Sequence, residues 1–204
     1  LHWIVVQYEI DINRLPQAKE TIRVRTFTKE HNRIFSYREF EIYDEDDILL
    51  LYVMTVFALI DENRKLSKIP AEVIGGYGST ENRRIRRMPK PEMPADTDET
   101  IRRDYNVGYF DIDTNFHANN SLYFIWMLEA LGDEFLATHN PTHGNITFDK
   151  EVHINDAVKS YADVTSDEEG RLTSRHYIQV DDIIKCKATF QWEENAVDYS
   201  EHIK

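Results

Sequence analysis

Apolar and polar residues alternate from Trp3 onward: Ile4, Val6, Tyr8, Ile10 and Ile12 on one face, Gln7, Glu9, Asp11 and Asn13 on the other. A period of two predicts a half-buried strand. Leu15, Pro16 and Gln17 interrupt it, and alternation resumes over residues 21–28, with Ile22 and Val24 set against Arg23 and Arg25. Residues 33–43 predict a third strand whose apolar phase slips near Arg38 and Glu39, which a bulge there would explain. An acidic turn at residues 44–47 leads into the apolar run 48–60. Such a run suits a buried helix or a central strand; Val53, Thr55, Val56, Phe57 and Ile60, with turn-like flanks, favour the strand. Pro70 is placed to open a short helix and Gly75 and Gly76 to end it.

The second half repeats this rhythm with an addition in front. Residues 101–110 predict a strand, and residues 122–131 contain Glu129 as their only charge. A helix apolar almost all round is a buried one, and Asn119, Asn120 and Ser121 supply its N-cap candidates. Pro141 and Gly144 predict a loop. Strands then follow at 146–154, 158–165, 172–180 and 183–192, with Asp181 and Asp182 as a tight hairpin.

Four strands in each half, similar in length and turn placement, read as a tandem repeat. The expected division is a first repeat at residues 1–80, a basic and Pro-rich linker at 81–98, and a second repeat at 99–204. The expected class is α+β, an antiparallel sheet wrapped around one long buried helix. The first repeat has no strand and helix ahead of its four strands in this chain. Trp3, Ile4, Val6, Phe57 and Leu59 are therefore expected on a sheet open on one face. An N-terminal strand and helix are expected to cover that face in the native protein.

The chain has 204 residues, 41% hydrophobic and 30% charged, which suits a soluble globular protein. The run 48–60 is too short to span a bilayer, so no membrane partner is expected. A net charge of −13 argues against nucleic acid as a partner. Cys186 is the single cysteine, which excludes an intrachain disulfide framework and suits a reducing compartment. The chain begins at Leu1, so a missing leader carries little weight. Arg83, Arg84, Arg86, Arg87 and Lys90 make the one dense basic cluster.

Candidate chemistry gathers just before the buried helix. In an extended segment Asp111, Asp113, Asn115 and His117 would project to one side, toward a helix N-terminus able to stabilise an oxyanion. The bland alternative is a turn and helix cap rich in Asp and Asn. A calcium loop fails, because Phe116 stands where Gly is required and Leu122 where the bidentate Glu belongs. His139, His143 and His153 invite a metal reading, but Pro141 breaks the helical spacing of the first two and no cysteine joins them. They are read as loop and surface histidines. Tyr123 and Trp126 are read as helix packing, and the acidic runs 44–47 and 167–169 as solvated turns.

Asp113-Thr-Asn115-Phe-His117-Ala-Asn119-Asn120, followed by Tyr123, Trp126 and Glu129, resembles the signature of the acyl-acyl-carrier-protein thioesterases. The likeness extends to residues 64–73 and to Trp3-Ile-Val-Val, and so covers nearly the whole chain. It implies two tandem hotdog domains that hydrolyse an acyl thioester on acyl carrier protein, ending fatty-acid elongation. Asp113, Asn115, His117 and Glu151 become the expected catalytic set. His117 would shuttle protons, Glu151 would activate water or attack the carbonyl, and Asn115 would position water or the thioester oxygen. Asp113 would orient Asn115 or His117. Plant members carry a Glu-Cys pair after the central helix, where this chain has Glu151 and Val152. The carboxylate is kept and the thiol is not, which favours a water- or carboxylate-based hydrolysis over a cysteine nucleophile. No cofactor or metal is implied, and a homodimer is left open. The compartment would be the cytoplasm of a bacterium, or the plastid stroma if the source is a plant. The Arg83–Lys90 cluster would dock the acidic carrier, against a solvated linker as the bland reading. An acyl-coenzyme A thioesterase and a non-catalytic acyl-binding protein are the alternatives.

Overall fold

A computed structural model describes residues 1–95, 97–196 and 199. The chain divides into two compact units, Leu1–Pro89 and Lys90–Lys204.

The first unit contains β1 (His2–Ile12), β2 (Arg23–His31), β3 (Phe35–Tyr43), β4 (Leu49–Ile60), β5 (Leu66–Ser67), α1 (Ala71–Ile74) and β6 (Thr80–Glu81). Its sheet runs β6-β2-β3-β4-β1, with β5 beside β4. The run 48–60 is a strand, paired on both sides by β1 and β3. The phase slip near Arg38 and Glu39 is not a bulge in β3, whose register against β4 is unbroken from Phe35 to Ile42. The extra residue is Lys29, on β2. Its Nζ meets the buried Glu39 carboxylate at 2.6 Å, and Tyr52 also hydrogen-bonds that carboxylate. An ion pair therefore accommodates a charge at a buried position.

Trp3 and Phe57 pack edge to face at 6.3 Å on one side of this sheet. Val6 does not join them as expected: it packs on Tyr37, Met54 and Val56 on the opposite side. Alternation from Trp3 already places Val6 on that side, and the register shift between Val5 and Gln7 then sets Gln7 opposite Val56 and Tyr8 opposite Thr55. On the Trp3 side a recess of about 340 Å³ is lined by Arg38, Phe40, Phe57, Ile74 and Tyr77 among others, so α1 and the turn after it cover part of that face.

The expected linker is extended but not free. Met88 packs on the Tyr37–Met54–Val56 cluster, and Gln7 Nε2 donates to the Pro89 carbonyl at 2.6 Å. In the second unit the Glu92 amide donates to Thr189 Oγ1 and the Ala95 amide to Asp163 Oδ2, each at 2.8 Å.

The second unit contains β7 (Ile101–Asn106), α2 (Asn120–Leu128), α3 (Asp133–Thr138), β8 (His139–Phe148), β9 (Ala157–Ser166), β10 (Leu172–Val180) and β11 (Ile183–Glu194). The order is β8-β11-β10-β9-β7, antiparallel throughout. α2 lies against β9 and β10 and buries Tyr123, Trp126 and Met127. The apolar stretch is not one long helix. It tightens into a 3₁₀ turn at Glu129–Leu131 and breaks at Gly132, whose φ of 87° and ψ of 156° suit glycine alone. Asp181 and Asp182 form the hairpin, both with positive φ.

Three boundaries differ from expectation. Pro141 and Gly144 lie inside β8, with Pro141 opposite Trp192 where the register shifts. A bulge is where a strand tolerates proline. β8 then ends at Phe148, so Glu151 stands on the loop after the strand rather than on it. Likewise β7 ends at Asn106, and a 3₁₀ turn at Tyr109–Asp111 precedes the polar motif.

Candidate active site

The motif segment folds back on itself. Ile112 and Ala118 form an antiparallel bridge around residues 113–117. The Asp113 amide donates to the His117 carbonyl at 2.9 Å, and the Phe116 amide to the Asp113 carbonyl at 3.0 Å. Asp113, Asn115 and His117 therefore do not line one side of an extended segment. The Asp113 carboxylate accepts the Asn115 amide at 2.7 Å, and Asp111 accepts the Gly108 amide at 2.8 Å. Phe116 closes the turn at φ 66°, and Asn115 is exposed. Asn119 caps α2, accepting the Ser121 amide at 2.9 Å, and so occupies one of the N–H groups the helix start offers.

Across from this loop lies residues 149–153. The Asp149 and Lys150 amides donate to the Lys185 carbonyl, and Lys185 Nζ donates to the Glu151 carbonyl at 3.1 Å. Two further bonds set the register between the loops. The Ala118 amide donates to the Val152 carbonyl at 2.8 Å, and the Val152 amide donates to the Tyr123 hydroxyl at 3.0 Å. Tyr123 is buried, and burial pushes its phenol up. With the neighbours so joined, His117 Nε2 lies 3.0 Å from Glu151 Oε2. Both side chains are partly exposed, at 21% and 26%, so solvent reaches the pair.

Of the four expected residues, the structure joins His117 with Glu151 and Asp113 with Asn115. Val152 is 0% exposed and carries no thiol. Cys186 is buried on β11, and burial pushes its thiol well above the usual range. Tyr123 and Trp126 pack on each other at 5.4 Å, and Trp126 on Tyr105 at 6.1 Å. Glu129 accepts the Tyr105 hydroxyl at 3.2 Å while Arg103 donates to its carbonyl at 2.8 Å, which fastens the end of α2 to β7.

The three histidines weighed as a metal group have separate surroundings. His139 stacks on Phe135 at 4.4 Å, and His143 belongs to β8 rather than to a loop. His153 lies beside His117, with ring centroids 5.5 Å apart. The sequence carried a signal for that neighbour, two residues after Glu151, but distance along the chain grouped it with His139 and His143. Among the described residues no three His, Cys, Asp or Glu side chains converge as a metal site. Arg83, Arg84, Arg86 and Arg87 are exposed in the first unit, Arg86 lying 3.7 Å from Glu30, and Lys90 is exposed at the start of the second.

Profiles of the acyl-ACP thioesterase N-terminal and C-terminal domains match residues 1–77 and 94–194. The chain belongs to the acyl-ACP thioesterase family. A structure from Lactobacillus plantarum, assigned provisionally as an oleoyl thioesterase, is 35% identical with a TM-score of 0.92, over 96% of this chain and 77% of that one. The 12:0-ACP thioesterase of Umbellularia californica shares the fold at a TM-score of 0.84 and 21% identity, over 95% of this chain and 73% of that one. The chloroplastic acyl-[acyl-carrier-protein] hydrolase FATB3 of Cuphea viscosissima is 27% identical over 89% of this chain and 46% of its own length. The chain thus spans about half the length of the curated relatives it matches. Its α+β architecture is the hotdog arrangement of the family, a sheet packed on a central helix.

Proposed function

We propose that the protein hydrolyses fatty acyl thioesters on acyl carrier protein, releasing free fatty acid and ending chain elongation. The observation that carries this reading is the 3.0 Å contact of His117 Nε2 with the Glu151 carboxylate, in a chain of this family. A proton on the nitrogen that faces a carboxylate puts the imidazole lone pair on Nδ1. Glu151 then stabilises the imidazolium formed when that lone pair takes a proton from water. The hydroxide adds to the thioester carbonyl, the C–S bond breaks, and the thiol leaves. Asp113 orients Asn115, which is assigned to hold the water or the carbonyl oxygen. A thiol nucleophile has no support, since Val152 carries none and Cys186 is buried.

The partner is acyl carrier protein with its acyl-phosphopantetheine arm. Arg83, Arg84, Arg86, Arg87 and Lys90 supply cations for an acidic carrier on a protein of net charge −13. The single buried thiol suits a reducing compartment, such as the bacterial cytoplasm or a plastid stroma. Among the described residues no helix is long and apolar enough to cross a membrane.

The test is thiol release from a chain-length series of acyl groups on acyl carrier protein and on coenzyme A, using the full-length protein. Faster turnover on acyl carrier protein is expected. Preference for coenzyme A would move the assignment to the other carrier, and no turnover on either would leave an acyl-binding protein.

A further inference from the structure

The exposed ring of His153 lies 5.5 Å from that of His117, tilted by 58°. Its backbone is fixed as firmly as the pair it adjoins. The His153 amide donates to Asp156 Oδ2 at 2.8 Å, and the Asp156 amide returns to the His153 carbonyl at 3.1 Å. This turn is tied to buried Val107 twice, by the Asn155 amide to the Val107 carbonyl at 2.9 Å and the Val107 amide to the Asp156 carbonyl at 3.1 Å. On its other flank the Ala118–Val152 bond fixes the loop that bears His117. Among the described residues the His153 ring makes no hydrogen bond, whereas the His117 ring is tethered to Glu151.

Thioester hydrolysis moves two protons: one off the attacking water, one onto the departing sulfur. His117, held on Glu151, is placed for the first. We propose that His153 makes the second transfer, as a further acid–base residue of this site; the inference rests on the thioesterase reading above. As the C–S bond breaks, the electron pair stays on sulfur and the His153 imidazolium gives it a proton, so that the thiol leaves neutral. The proton that His117 took from water then resets His153, across the short gap between the rings or through solvent. The net change is thioester plus water to acid plus thiol, with both imidazoles restored. Histidine suits the task because its side chain exchanges protons near neutral pH.

The inference predicts a dependence on the leaving group. Full-length protein carrying His153→Gln should be compared with the unaltered protein on two thioesters of one acyl chain, an alkyl thioester of pantetheine and an aryl thioester of thiophenol. An aryl thiolate leaves without help; an alkyl thiolate gains from protonation. kcat on the alkyl ester should fall about tenfold, less than for most acid–base groups because thiolates leave readily, while the aryl ester stays within about twofold. Equal loss on both esters, or no loss on the alkyl ester, overturns the assignment of His153. His117→Ala in parallel should slow both esters. If it slows neither, the underlying reading falls, and this inference with it.

Discussion

The Ala118 amide donates to the Val152 carbonyl at 2.8 Å, and that bond between two small apolar residues sets the His117–Glu151 pair. His117 and Glu151 precede them in their respective loops, so joining the backbones brings imidazole and carboxylate to 3.0 Å. Val152 is therefore part of the support for the site through its backbone, and its side chain offers no thiol.

The thiol that remains is predicted to be dispensable. Cys186→Ala should retain most of the activity, because the buried sulfur is raised well above the range where thiolate forms and behaves as a small apolar group. Alkylating reagents should leave the folded enzyme active. Loss of turnover in folded Cys186→Ala protein would restore a thiol mechanism.

Acid should weaken the second unit through His176. Burial holds this imidazole at about 3, against an ordinary 6.5, with Nε2 2.8 Å from Ser174 Oγ. The unfolded chain binds its proton below about 6.5 and the folded chain does not, so the contribution is complete above that pH. It is lost as pH falls toward 3, by about 1.4 kcal/mol per unit. Urea midpoints between pH 7.5 and 5 should fall more for the unaltered protein than for His176→Gln. Parallel pH profiles would contradict this.

Gly132→Ala should destabilise the protein by about 1–3 kcal/mol. An added Cβ meets nothing within 4 Å, so the whole cost lies in a backbone of φ 87° that L residues avoid. A thermal midpoint unchanged by the substitution would show that the helix break relaxes freely.

Charge reversal at Arg83 and Arg84 should raise KM for acyl carrier protein substrates and spare short acyl-coenzyme A mimics, with the difference shrinking at high salt. An equal effect on both carriers would remove the docking role.

Much of this was legible in the residues. The alternation in β1 and the β-branched run in β4 gave strands, and the single charge of residues 122–131 gave a buried helix. What misled was local chemistry overruled by distant partners. Pro141 and Gly144 signal a loop by themselves, yet the partner strand β11 holds both in a ladder that a bulge accommodates. The charge at Glu39 resembles a break in β3, but Lys29 on the neighbouring strand neutralises it. At the site, the motif gave Asp113, Asn115 and His117 as residue types. It gave neither the fold-back at Phe116, which is held by backbone bonds within residues 112–118, nor the approach of His153, which depends on bonds between loops far apart in sequence.

The most direct measurement is a double-mutant cycle on kcat/KM for acyl carrier protein substrate, with full-length His117→Ala, Glu151→Gln and the double variant, each verified as folded. His117→Ala should lower kcat by at least about a hundredfold. If the two residues act as one unit, the double variant should be no slower than the worse single variant. Additive losses, or near-normal turnover in either folded single variant, would contradict the pair as the hydrolytic centre.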